Sequence, residues 1–438
     1  MGKKSWQVPA RCMEIVILAV LAIAIAAYYL LFKEHLTKHA QGTGNVDIFK
    51  LRTSASMLDP DLLQDAPSNY EKSFKNPCWR GKDNELRCLP YFYVSGFHTG
   101  AGALGRRLAS HPNVMMDAGR LSSWGHAWGF WSEYRNKIWD YLGGIKPSIP
   151  MLQRDPSANV IMDGAMSTFA LYWASSGKAH RAFSSVAVAC WAECDKEFKG
   201  SAGPGYEACM ENKCLPAGRE ADLKAVEKAG LDYTDAQLPM LMRALYGPRT
   251  PKFVFMLRPP VQRIYSAFFG LPSFQQRYGN KTEHFTQFVA EQVMAYRECV
   301  RKHSEQLCIM RFETLGIAEE KTFFHCDQLL RGMYAVYLKT WFKFFPRDSF
   351  LIINSLDYFE NSRDVTIKVL KFLELPVPDH DSPVWAAMES AGPRVSNTDK
   401  QGHIPEGARR VLSKLYKEHN KELANLLHDD SYMKWNVD

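Results

Sequence analysis

The sequence predicts an α/β fold: a mostly parallel sheet flanked by helices, P-loop-like in its opening strand–turn–helix, with an N-terminal transmembrane helix. Three observations predict it. Short aromatic and β-branched runs alternate with longer stretches of helical period. The first of those runs ends in a glycine-bearing turn that leads straight into a helix. Near the start of the 438-residue chain stands a stretch of eighteen residues without a charge, Ile15 to Phe32.

As a helix that stretch rises about 27 Å, close to the hydrocarbon thickness of a bilayer. Lys3, Lys4 and Arg11 precede it. The positive-inside rule then makes residues 1–14 a cytosolic tail, 15–32 a signal anchor and the remainder lumenal. A cleaved signal peptide is the alternative, since Ala24-Ile25-Ala26 has a small-x-small pattern. The apolar run continues past that point, which favours an uncleaved anchor. Residues 33–88 read as a polar stem, and 89–438 as the globular domain.

Within the domain, strands are expected at Leu89–Val94, Val114–Met116, Val160–Met162, Phe253–Leu257 and Phe350–Ile353. Helices are expected at Gln237–Leu245, Val261–Phe269, Phe285–Arg301, Leu330–Phe345 and Val365–Leu373, with a last one from Pro405 to about Leu427. A segment of about 175–232 breaks the alternation and reads as an insertion.

Composition sets only broad limits. Apolar residues make up 46% and charged residues 23%, which excludes a polytopic membrane protein and wholesale disorder. A net charge of +7 is compatible with anionic ligands and points to no nucleic acid partner. Nine of the ten cysteines lie beyond the anchor, as suits an oxidising compartment. Cys78/Cys88 and Cys299/Cys308 are close pairs. Cys190, Cys194, Cys209 and Cys214 read as two disulfides rather than a zinc site, because the spacing is not CxxC and no histidine adjoins. Cys326 is left as the unpaired thiol. Asn280-Lys281-Thr282 is a glycosylation sequon.

Two segments carry the chemistry. In Tyr91–Leu104, YFYVSGFHTGAGAL, a strand runs into a glycine loop and a helix, whose first N–H groups face an anion. The GxxxxGK[ST] of nucleoside triphosphatases is missing, so triphosphate hydrolysis is not expected. In Phe253–Phe268 a buried strand ends in Arg258, two prolines turn the chain, and a helix presents Ser266. The guanidinium fork and the hydroxyl suit a second phosphate. A structural ion pair is the competing reading of Arg258.

Both segments resemble the two signatures for 3′-phosphoadenosine 5′-phosphosulfate (PAPS) in Golgi carbohydrate sulfotransferases, closest to the N-acetylgalactosamine 4-sulfate 6-O-sulfotransferase-like group. His98-Thr99-Gly100-Ala101-Gly102-Ala103-Leu104, then Leu108 and His111-Pro112, stand where the family has K-x-G-T-T-x-L, L and HP. Leu257-Arg258, Pro260, Arg263 and Tyr265-Ser266 match LR-x-P-x-x-R-x-YS. Gly332-Met333-Tyr334, Trp341, Phe345-Pro346-Arg347, Asp357-Tyr358 and Phe372-Leu373 follow in the family's order. The resemblance covers roughly residues 90–435 apart from the insertion.

It implies a sulfotransferase fold, PAPS as co-substrate without a metal, a carbohydrate acceptor, and a single-pass type II Golgi membrane protein with a lumenal catalytic domain. His98 to Leu104 would hold the 5′ side, and Arg258 and Ser266 the 3′-phosphate. Asp163, in Ile161-Met162-Asp163-Gly164-Ala165-Met166-Ser167, would be the general base, taking the acceptor's proton during attack on sulfur. A helix-capping aspartate is the plainer alternative. His98 replaces the family's lysine, and Ala101 and Gly102 replace its threonines. A nucleotide- or glycan-binding protein without turnover is therefore a second hypothesis. A third is a type II glycosyltransferase using Asp429-Asp430.

Overall fold

The computed structural model describes residues 46–116, 130–132, 134–170, 177–200, 203–323, 327–392 and 402–436. The tail, the anchor and Cys326 lie outside the described residues. Among the described residues, no helix is long and apolar enough to cross a membrane.

The described chain opens with helix α1 (Ile48–Leu58) and an antiparallel hairpin of β1 (Cys78–Arg80) and β2 (Leu86–Cys88), closed by the Cys78–Cys88 disulfide. This corrects the stem expected over 33–88. From α1 onward the segment belongs to the body: Leu51, Ala55, Leu58, Leu62, Tyr70, Phe74 and Trp79 are buried in the main core. Leu51, Ala55 and Leu58 keep helical spacing, but the polar residues between them hide the period.

Strands β3 (Phe92–Ser95), β4 (Val114–Met115), β5 (Val160–Asp163), β6 (Lys252–Leu257) and β7 (Phe350–Asn354) form one parallel sheet in the order β4-β5-β3-β6-β7. Its central strands are buried on both faces, which is why they read as unbroken apolar runs. Period two divides them. Phe92, Val94, Val254 and Met256 face one core cluster, and Tyr93, Phe253, Phe255 and Leu257 the other.

Eight further helices matter for the site. They are α2 (Ala101–Ala109), α3 (Ile138–Ile145), α4 (Arg181–Glu197), α5 (Leu215–Lys228), α6 (Leu238–Tyr246), α7 (Pro260–Gly270), α8 (Ser355–Glu360) and α9 (Glu406–Leu427). The insertion is a helical hairpin. Cys190 and Cys194, one turn apart on α4, pair with Cys214 and Cys209, while Cys299 pairs with Cys308. His180 and Asp222 fasten this hairpin through a buried 2.8 Å contact, joined by Tyr233 and Arg311.

Asp429, offered as half of a metal-binding pair, instead caps the turn after α9 by accepting the Ser431 N–H. On the surface, Arg301 and Lys302 pair with Glu298, and Arg409 and Arg410 with Glu406.

Candidate active site at the strand ends

Parallel strands deliver their C-terminal ends to one edge, and β3 and β6 are neighbours with Ser95 opposite Phe255. The loops that leave them therefore start side by side. After β3 the backbone takes a positive φ three times, at Gly96 (φ 148°), His98 (φ 58°) and Gly100 (φ 102°), before α2 begins. Glycine is required at 100 for a second reason: a Cβ there would stand 2.9 Å from Cζ of Phe359.

The predicted loop residues divide by role. The Thr99 hydroxyl is consumed inside the turn, donating to the Gly96 carbonyl (3.0 Å) and accepting from the Ala101 N–H (3.4 Å). Ala101 and Leu104 point into the core. Gly102 and Ala103 are half-exposed. The Ala103 and Leu104 amides both donate to the Gly100 carbonyl and the Ala101 amide to Thr99, so the first-turn amide left to face an anion is that of Gly102.

The His98 ring is edge-on to Phe97 (4.7 Å between centroids) and lies so close to Gly270 of α7 that any side chain at 270 would collide with it. Ser266 stands one turn before Gly270, on the same face of α7. It is half-exposed. Arg258, at the end of β6, has its backbone gripped by Tyr334, whose hydroxyl donates to the Arg258 carbonyl (2.7 Å). Its guanidinium lies 5.7 Å from the Phe359 ring centroid. Phe359 of α8, 44% exposed, thus touches both the loop and the arginine. The two segments singled out in the sequence meet at one place.

Two buried arginines complete it. Arg263 is bonded to Gln328 by both terminal nitrogens. Arg331 is paired through Nε with Asp327 (2.8 Å), donates to the Ala170 carbonyl (3.1 Å), and covers the Phe97 ring at 5.0 Å. Enclosure pushes the His98 imidazole down to about 3, and Arg263, Arg258 and Arg331 push it the same way. His98 is therefore neutral at physiological pH. Arg258, Arg263 and Arg331 thus bring three guanidinium groups around His98, with Asp327 paired to Arg331.

Asp163 sits apart from the arginines. It ends β5 opposite Tyr93 and is 3% exposed. One oxygen accepts the Ala165 N–H (2.8 Å), and the other accepts the Tyr141 hydroxyl (2.6 Å). Burial raises its carboxyl to about 6, while the two hydrogen bonds oppose that rise. Its loop is tied to the end of β3 by Ser95, which donates to the Met166 carbonyl (2.8 Å) and accepts from the Phe169 N–H (3.0 Å).

Arg331, Asp327, Phe359 and Tyr141 escaped the sequence reading. None belongs to a local motif. Only the exposed aromatic directly after Asp357-Tyr358 carried a signal. A groove of about 590 Å³, lined by Tyr296, Arg297, Glu305 and His419 among others, shares no residue with the strand-end site.

No family model matches the chain. It is similar to carbohydrate sulfotransferase 15 of Mus musculus, with 25% identity over 359 residues, 81% of this chain and 56% of that protein. Similarity to the Homo sapiens protein is 25% over 361 residues, with 80% and 56% covered. The chain thus spans a little over half the length of these relatives. Among solved structures, a sulfotransferase from Alicyclobacillus acidocaldarius aligns at 15% identity and a TM-score of 0.38, covering 80% of this chain and 99% of the other.

Proposed function

We propose that this chain, similar over four fifths of its length to carbohydrate sulfotransferases, moves a sulfuryl group from PAPS to a carbohydrate hydroxyl. The observation that carries the reading is the convergence of three guanidinium groups where the β3 and β6 loops meet. Arg258 and Ser266 would grip the 3′-phosphate, and the turn into α2, with the Gly102 amide, the 5′ side. The acceptor oxygen attacks sulfur in line and the bond from sulfur to the 5′-phosphate oxygen breaks. Adenosine 3′,5′-bisphosphate leaves, and the acceptor's proton passes to Asp163. His98, held neutral, donates an N–H to the leaving phosphate oxygen in place of a lysine's full charge.

Radiolabelled PAPS and a glycan panel test this. Label transferred to a carbohydrate is the expected result, and no transfer to any glycan or sugar overturns it. One observation favours a second reading, nucleotide binding without turnover: His98 is uncharged and both Asp163 oxygens are already bonded. Tight binding of adenosine 3′,5′-bisphosphate with no transfer would support that reading.

The proposal includes a single-pass type II location in the Golgi membrane with the body lumenal. Four disulfides suit that oxidising lumen, and Asn280 of the sequon is exposed.

A prediction follows from the missing threonines. A Cβ at Gly102 would meet nothing nearer than Nη1 of Arg106 at 3.7 Å, so a side chain fits. Gly102→Thr restores a hydroxyl beside the proposed 5′-phosphate position and is expected to tighten PAPS binding by roughly 3–10-fold, the net effect of one ordinary hydrogen bond. Calorimetric titration checks it.

A further inference from the structure

We propose that Tyr141, Tyr93 and Tyr246 form a switchable hydrogen-bond chain that sets the proton affinity of Asp163 by reversing the direction of one bond. The proposal rests on the reading of Asp163 as the base.

Each phenol has one proton to give, so the directions can be assigned. The Pro90 carbonyl only accepts, so the Tyr246 hydroxyl donates to it (2.9 Å). Tyr246 has then spent its proton, and Tyr93 donates to Tyr246 (2.8 Å). Trp131 Nε1 donates to the Tyr93 oxygen (3.2 Å). At the other end the Tyr141 proton goes to the Asp163 carboxylate (2.6 Å). One contact remains, Tyr93 to Tyr141 at 3.3 Å, and no proton is left for it. While Asp163 is ionised, two oxygens face each other there with lone pairs only.

A proton arriving on Asp163 removes that mismatch. Oδ1 keeps the Ala165 amide, so the new proton sits on Oδ2 and is donated to Tyr141. The Tyr141 hydroxyl rotates and donates to Tyr93. One continuous run then leads from Asp163 through Tyr141, Tyr93 and Tyr246 to the Pro90 carbonyl. Each phenol ends with the proton it began with, and the balance is one proton gained by the carboxyl.

Tyr141 therefore acts in both states. It stabilises the carboxylate as a donor and the carboxylic acid as an acceptor. The groups facing Asp163 are phenols from β3, α3 and α6, with the Ala165 amide from its own loop. Burial keeps Tyr93, Tyr141 and Tyr246 far above the ordinary phenol range, so they stay neutral. All three are at most 4% exposed, and Phe130 stacks on Tyr141 at 4.3 Å, fixing its ring. These are positioning residues, because they act on the acceptor only through Asp163.

The test is an infrared titration of the protonated-carboxyl band in the full chain, assigned by its loss in Asp163→Asn, together with transfer from radiolabelled PAPS. Tyr141→Phe removes both bonds, of which the charge-assisted one to the carboxylate is the stronger, and should raise the Asp163 titration by about one pH unit, moving the acid limb of turnover up with it. Tyr93→Phe removes the acceptor used only when Asp163 is protonated and should move both the opposite way. If Asp163→Asn turns over at the native rate, the base reading falls and the proposal with it. If Asp163→Asn is inactive but neither phenylalanine variant shifts the titration, or both shift it in the same direction, the chain reversal alone is overturned. A variant that fails to fold leaves the other, whose sign is fixed independently.

Discussion

Arg258→Ala is expected to bind adenosine 3′,5′-bisphosphate roughly 30–1000-fold more weakly than the native chain, the loss of about 2–4 kcal/mol typical of a charged pair. Its melting point should scarcely change. Arg258 is half-buried at the edge of the site; its position in the chain is fixed by Tyr334 gripping its backbone, which alanine leaves in place. A structural ion pair, the competing reading, would give the reverse pattern of lost stability and retained affinity. Adenosine 5′-monophosphate supplies the control. Lacking a 3′-phosphate, it should bind native and variant chains alike, and an equal loss for both nucleotides would move Arg258 away from the 3′ side.

The second large effect is at Asp163. Asp163→Asn is expected to cost about 10²–10⁴-fold in turnover, the usual contribution of a general base, without loss of stability. The sign follows from linkage. The folded carboxyl, raised to about 6, lies above the ordinary aspartate value of 3.8, so the folded state takes up a proton more readily than the unfolded one. Asp163 therefore favours folding below pH 3.8, and that contribution is lost as pH rises through about 6. At pH 7 the ionised carboxylate is a burden on the fold, and a neutral amide relieves it. Asparagine can still accept the Ala165 N–H and donate to the Tyr141 oxygen. A melting point equal to or above the native value, with turnover lost, is the signature of a base. A plain capping aspartate would instead lose stability and keep activity. Native turnover should rise with pH through about 6, since the base works ionised.

Much of this site was readable before any coordinates. The five sheet strands fell within a few residues of expectation because buried parallel strands announce themselves as apolar runs. The β3 and β6 loops could be paired because both follow such strands. What they touch was not readable. Arg331 and Phe359 reach the site from segments far along the chain with no motif of their own. Asp163 looked like a strand-end carboxylate open to a substrate. The side chain that covers it, Tyr141, comes from α3, where nothing local marks a contact. Leu104, counted with the cofactor loop, is held in the core by the same helical period that makes α2. The stem shows the opposite failure, since Leu51, Ala55 and Leu58 were diluted by polar neighbours although they face the main core.

The claim beneath all of this is that the loop after β3 and the arginine after β6 hold opposite ends of one doubly phosphorylated nucleotide. Calorimetric titration of the full chain with adenosine 3′,5′-bisphosphate tests it most directly. Saturable binding of one nucleotide per chain, weakened by Arg258→Ala and tightened by Gly102→Thr, is the predicted result. An absence of binding, or binding indifferent to both substitutions, would contradict it.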